Sequence, residues 1–150
     1  MSKSIKHQYF FPHPPEIVWE YLTRSELLEL WLMKNTFTPV VGADFQFRTN
    51  PIPSLNFDGI IYCRVLEIVP FKKLSYSWNS GHGGGEITLH SVVVWTLQPT
   101  DKGTELFLDH SGFDREENLD FYNGLNHGWV EKLQKIADTI NAAKHDTTKA

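Results

Sequence analysis

Apolar and polar residues alternate over short runs for most of this chain, and only near its end does the spacing lengthen to three and four. Residues 5–11 place Ile5, His7, Tyr9 and Phe11 on one parity and Lys6, Gln8 and Phe10 on the other, which predicts a strand. Pro12, Pro14 and Pro15 end it. Pro15 followed by Glu16 suits the first turn of a helix, where a missing N–H is harmless and an acid meets the positive end of the dipole. Ile17, Val18, Tyr21 and Leu22 supply the buried face of that short helix. Ser25 is placed to cap a second one, whose apolar residues are Leu27, Leu28, Leu30 and Trp31. Neither is long enough to be stable alone, so both must pack on something larger.

Residues 36–40 read as a short strand, and Gly42 turns the chain. Residues 44–49 alternate cleanly, with Phe45 and Phe47 on one face, and 50–54 form a loop. Residues 57–69 make a long strand with apolar side chains on both parities; its inner face is unassigned by the pattern, and a bulge accounts for the switch. After a turn at 70–73, Leu74, Tyr76 and Trp78 alternate with Ser75, Ser77 and Asn79. A Gly-rich hairpin loop at 80–85 leads to strands at 87–97 and 104–110, the last with Leu106, Leu108 and His110 on one face. The chain turns at Gly112. A strong amphipathic helix follows, with Gly128 and Trp129 at its opening and apolar positions at Tyr122, Leu125, Trp129, Leu133, Ile136 and Ile140. The order strand, two short helices, six strands, long helix predicts an α+β domain: an antiparallel meander with one face covered by the long helix. One long helix laid across a curved sheet encloses a pocket.

The 150 residues fit one domain, expected over 1–143, with a polar, frayed tail at 144–150. Apolar content of 41% is ordinary, but 13% aromatic residues, including five Trp and ten Phe, require a sizeable interior. A net charge of −4 without a Lys/Arg run argues against DNA or RNA binding. The single cysteine, Cys63, forms no intramolecular disulfide and reads as a small buried hydrophobe in a reducing, cytoplasmic setting. No signal peptide and no membrane span are expected.

Several motifs, in order, carry a family likeness. They are Phe11-Pro12-His13-Pro14-Pro15-Glu16-Ile17-Val18-Trp19-Glu20-Tyr21-Leu22, then Leu28-x-x-Trp31, then Glu67-Ile68-Val69-Pro70 with Leu74-Ser75-Tyr76-Ser77-Trp78. His110-Ser111-Gly112-Phe113 and Gly128-Trp129-x-x-x-Leu133 close the series. From residue 5 to 143 the chain resembles the START-like (SRPBCC) superfamily, in the subgroup homologous to the activator of the 90-kDa heat-shock protein's ATPase. The resemblance implies a helix-grip fold: a curved seven-stranded antiparallel sheet wrapped on a long C-terminal helix, with two short helices after the first strand. It departs from the family after Trp31, where many relatives carry a second Trp or a Gly-Pro and this chain has Leu32-Met33-Lys34-Asn35. The N-terminal domain of the eukaryotic co-chaperone is absent from this sequence, which weakens a chaperone role. The superfamily hosts binders and enzymes alike, so fold does not decide function.

The expected function is to bind a small apolar or aromatic molecule between sheet and helix, using Trp31, Phe45, Phe47, Tyr76, Trp78, Trp95, His110, Phe113, Tyr122 and Trp129, with Phe121 nearby. A cyclase, dehydratase or hydrolase using His110 or Glu67 as acid–base is the enzymatic alternative. A chaperone partner is the third, marked by an exposed apolar patch, and a homodimer is compatible with each. No metal and no cofactor are expected. The seven His show no zinc spacing, although His82 and His90 would meet in one hairpin register. The segment His82-Gly83-Gly84-Gly85-Glu86 lacks both a nucleophile elbow elsewhere and a following helix, so it reads as a mobile loop. Asp114, Arg115, Glu116 and Glu117 read as a solvated helix entry, and His127 as a rim or surface residue.

Overall fold

In the computed structural model, residues 3–55, 57–81, 87–113 and 118–148 are described. The elements are β1 (Ser4–Phe11), α1 (Pro15–Thr23), α2 (Ser25–Trp31), β2 (Lys34–Asn35), β3 (Asp44–Arg48), β4 (Ile60–Val69), β5 (Lys73–Ser80), β6 (Leu89–Thr100), β7 (Gly103–Ser111) and α3 (Leu119–Thr148). A single 3-10 turn, Pro53–Leu55, precedes β4. The seven strands form one antiparallel sheet in the order β1-β7-β6-β5-β4-β3-β2. The sheet is curved and grips α3, the helix-grip architecture that the motifs imply.

Strand parity decides which side chains enter the core. Ile5 and Phe11 on β1, Phe45 and Phe47 on β3, Leu74, Tyr76 and Trp78 on β5, and Leu106, Leu108 and His110 on β7 are buried. From α3, Trp129, Leu133, Ile136, Ala137 and Ile140 press onto that face. The ambiguous strand resolves as a bulge. Val65 faces Tyr76 while Glu67 faces Ser75, so Leu66 is the extra residue and lies 44% exposed. Before it Ile61, Cys63 and Val65 point inward, and after it Ile68 is half-buried. This is why no single parity fitted the sequence.

Three boundaries or caps, and the buried faces of α1 and α2, differ from the pattern. The strand expected at 36–40 is displaced: β2 is Lys34–Asn35, pairing with Arg48 and Phe47. Asn35 explains the shift, because its side chain donates to Ser25 O and Met33 O and accepts from Phe37 N, which fixes the chain there. Ser25 does not cap α2. Its hydroxyl turns to Asn35 Oδ1 at 2.8 Å, and the N-cap position belongs to Arg24 without a side-chain cap bond. On α1 Trp19 is buried and Ile17 only half-buried; on α2 Leu30 is 52% exposed. Finally α3 begins at Leu119, ahead of Gly128, and carries both Gly124 and Gly128 inside it. The turn at Gly112 is as expected. Its φ of +114° and the His90 carbonyl, 2.6 Å from where a Cβ would stand, leave room for glycine alone.

Candidate functional site

The ten side chains singled out in the sequence form one connected set of ring contacts between sheet and α3. Phe45, Phe47 and Tyr76 touch one another, with centroids 5.3–6.1 Å apart. Phe47 reaches Trp78 (5.4 Å), Trp78 reaches Trp129 (5.4 Å), Trp129 reaches Trp95 (5.5 Å), and Trp95 meets Trp31 edge-on (6.0 Å). His110 lies 5.3 Å from Trp78 and 4.8 Å from Phe113, which in turn touches Tyr122. Nine of these residues are buried; Tyr122 is half-buried. Edge-to-face packing predominates, as the ring quadrupoles favour.

Within this apolar interior the polar atoms follow a simple economy, with one exception. Trp31 donates its indole N–H to Tyr21 O at 2.8 Å, and Trp95 donates to Tyr76 Oη at 3.0 Å. Burial pushes the Tyr76 hydroxyl above its ordinary pKa, so it stays protonated. Trp129 donates to His110 Nδ1 at 3.1 Å. An indole N–H can only donate, so Nδ1 is an acceptor and the imidazole proton sits on Nε2. That N–H donates to Ser91 Oγ at 2.9 Å, and the Ser91 hydroxyl in turn donates to Trp78 O. Among the described residues the exception is Trp78 Nε1, buried without a hydrogen-bond partner.

His110 is therefore a relay. Both ring nitrogens are engaged, and burial lowers its pKa to about 3, so it is neutral and has no free lone pair with which to act as a base. Glu67, the other acid–base candidate, does not face inward. It lies half-exposed near the end of β4 and pairs with Lys73 at 3.0 Å. The His–carboxylate pair that an acid–base enzyme would use is thus not assembled from these two residues. Cys63 is buried, and desolvation raises its thiol pKa, so it is inert. His127 is on the surface, 3.5 Å from Glu131.

Ser91 and Phe37 were missed. Ser91 shares strand parity with Val93, Trp95 and Leu97, and a hydroxyl at an inward position was the available signal. Phe37 packs on Phe45 and Tyr76, hidden by the misplaced strand. The loop His82-Gly83-Gly84-Gly85-Glu86, its pairing with His90, and the entry Asp114-Arg115-Glu116-Glu117 lie outside the described residues. Among the described residues no group of three His, Cys, Asp or Glu converges as a metal site would require, and no helix is long and apolar enough to cross a membrane.

Two open grooves lie on the opposite, outward face of the sheet. One, of about 580 Å³, is bordered by Thr36, Gln46, Tyr62, Arg64, Ser77 and Asn79. The other, of about 550 Å³, is bordered by Lys6, Gln8, Val94, Thr96, Phe107 and Asp109. Several polar groups on that side are paired: Arg64 clasps Asp44 at 2.8 Å, Gln46 accepts from Arg48, and Lys6 lies 3.8 Å from Asp109. Among the described residues, the buried side-chain donor without a partner sits on the inner face, at Trp78.

Comparison with known proteins agrees with this architecture. The family model described as "activator of Hsp90 ATPase homolog 1-like protein" matches residues 12–141. Protein MLL2253 from Mesorhizobium loti is similar at 36% identity and a TM-score of 0.83, covering 93% of this chain and 98% of that one. The Aha1 dimer from Colwellia psychrerythraea, solved in solution, shares the fold at 21% identity and a TM-score of 0.75, covering 92% and 96%. DynU16, a protein in the dynemicin biosynthetic locus, does so at 18% identity and a TM-score of 0.76, with 93% of this chain aligned to 48% of that one. No curated protein matches the sequence. Between them, the match across residues 12–141 and the Mesorhizobium relative establish that the chain belongs to the family of activator of Hsp90 ATPase homolog 1-like proteins.

Proposed function

We propose that this protein binds a small apolar or aromatic molecule between the sheet and α3, beside Trp78. The observation that carries the reading is the Trp78 indole N–H, buried in a wall of aromatic rings and left without an acceptor. Leaving a buried donor unmet costs about 1–3 kcal/mol, a penalty that an arriving acceptor removes. Phe47, His110 and Trp129, the ring neighbours of Trp78, supply apolar contact worth about 25 cal/mol per Å² buried. Entry runs through the first turns of α3, where Phe121 meets Phe57 and Tyr122 meets Phe113. The proposed setting is the cytoplasm, where Cys63 remains a thiol.

The acid–base reading is disfavoured by the engaged His110 and the solvated Glu67. A chaperone partner would call for an exposed apolar patch; Val40, Val41 and Leu66 are exposed on adjoining segments, and this second reading has no buried unmet group to support it. Native mass spectrometry of protein purified from its own host tests the proposal. An excess mass that disappears on denaturation is expected. Its absence, together with no thermal shift from a panel of flat aromatic compounds, would overturn the reading.

A further inference from the structure

Resting on the ligand site just proposed, we infer that this site selects an uncharged oxygen acceptor: its apolar or aromatic ligand bears a neutral carbonyl-type group that receives the Trp78 N–H. Two observations converge on that class. First, the interior indoles show what the core does with its donors. Trp31, Trp95 and Trp129 each give their N–H to an uncharged acceptor: a backbone carbonyl, a phenol and a neutral imidazole. Among the described residues Trp78 is the one whose buried indole N–H has no partner. A purely hydrocarbon ligand would leave it so.

Second, the surroundings hold no charge to balance an anion. The rings touching Trp78 are Phe47, His110 and Trp129. The imidazole is locked in its neutral form by donating to Ser91 and accepting from Trp129. The buried polar side chains of the described residues are His13, Ser75, Ser80, Ser91, Thr104, His110 and Asn118, with no Lys or Arg among them. A carboxylate here would exchange water for a single indole N–H and no counter-charge, which the low dielectric strongly disfavours.

Three naphthalenes of nearly equal shape separate the possibilities: 2-acetylnaphthalene with a neutral acceptor, 2-ethylnaphthalene with none, and 2-naphthoate with an anionic one. Each is titrated into the full chain by calorimetry or by perturbation of its NMR spectrum. The acetyl compound is expected to bind on the order of tenfold more tightly than the ethyl compound, the worth of one net hydrogen bond, with naphthoate weakest. Replacing Trp78→3-benzothienylalanine, which puts sulfur where the N–H stands, should bring the acetyl and ethyl affinities together. Equal binding of acetyl and ethyl by the unsubstituted protein, or a preference for naphthoate, would overturn the inference while leaving the ligand site intact. Binding of none of the three would remove the ligand site and this inference with it.

Discussion

The interior has two ends, and they are finished differently. Beneath α1 and α2, Trp31 and Trp95 stack edge-on, each with its N–H paired, and the rest of that end is closed by fully buried Leu28, Leu74 and Ile136. Beneath the start of α3, Trp78 has an unmet N–H, Phe121 and Tyr122 are only half-buried, and the helix above carries two glycines. A Cβ on Gly124 or Gly128 would meet nothing within 4 Å, so packing does not require either glycine. Helical glycine in open space weakens a helix relative to alanine. The lesson is that one end is built to stay shut and the other is built to a looser standard, with a donor waiting inside it.

The largest expected effect breaks the comparison at its closed end. Trp31→Ala should destabilise the fold by about 3–5 kcal/mol, since it opens a cavity and strands the Tyr21 carbonyl. Phe121→Ala, at the looser end, should cost less than half as much in the same urea titration. Equal losses would erase the distinction.

Next comes pH. His110 has its pKa lowered from 6.5 to about 3 in the fold because burial penalises the charged imidazolium. The unfolded chain therefore binds more protons than the native one between those values. Stability rises with pH across this window and falls as pH drops from about 6.5 toward 3, by up to about 1.4 kcal/mol per pH unit. His110→Gln, whose amide can still accept from Trp129 and donate to Ser91, should flatten that part of the profile of Tm against pH. An unchanged profile would mean that His110 titrates in the native state.

The smallest effect sharpens the comparison. Gly124→Ala and Gly128→Ala should each stabilise the protein by about 0.5–1 kcal/mol and, if the first turns of α3 must yield for entry, slow the association of 2-acetylnaphthalene. Thermal unfolding and stopped-flow fluorescence read the two halves of that expectation.

Much of this architecture was legible in alternation and turn chemistry. Phe45 and Phe47, Tyr76 and Trp78, and Leu106, Leu108 and His110 each fall on one parity of a half-buried strand, and the motifs around them carry the helix-grip topology. Long-range facts were not legible. The bulge at Leu66 depends on how β4 pairs with β5, and β2 is placed by Asn35 bonding across to Ser25, a contact that local propensity cannot register. The apolar stripe from Tyr122 to Ile140 was legible in the spacing of α3, whereas its exact start at Leu119 was not. At the site, the aromatic set followed from parity, but its polar logic did not. Whether an indole N–H has a partner depends on a chain of atoms drawn from β5, β6, β7 and α3, and Ser91, the middle of that chain, looks in sequence like any other strand serine.

The most direct measurement is the ¹⁵N–¹H spectrum of the tryptophan indoles, recorded while 2-acetylnaphthalene is added. The Trp78 resonance, assigned through its benzothienylalanine variant, should move downfield as its N–H gains an acceptor, while the indoles of Trp31 and Trp95 stay nearly fixed. A Trp78 resonance that does not move while the compound binds, or that moves no more than that of Trp95, would contradict the account.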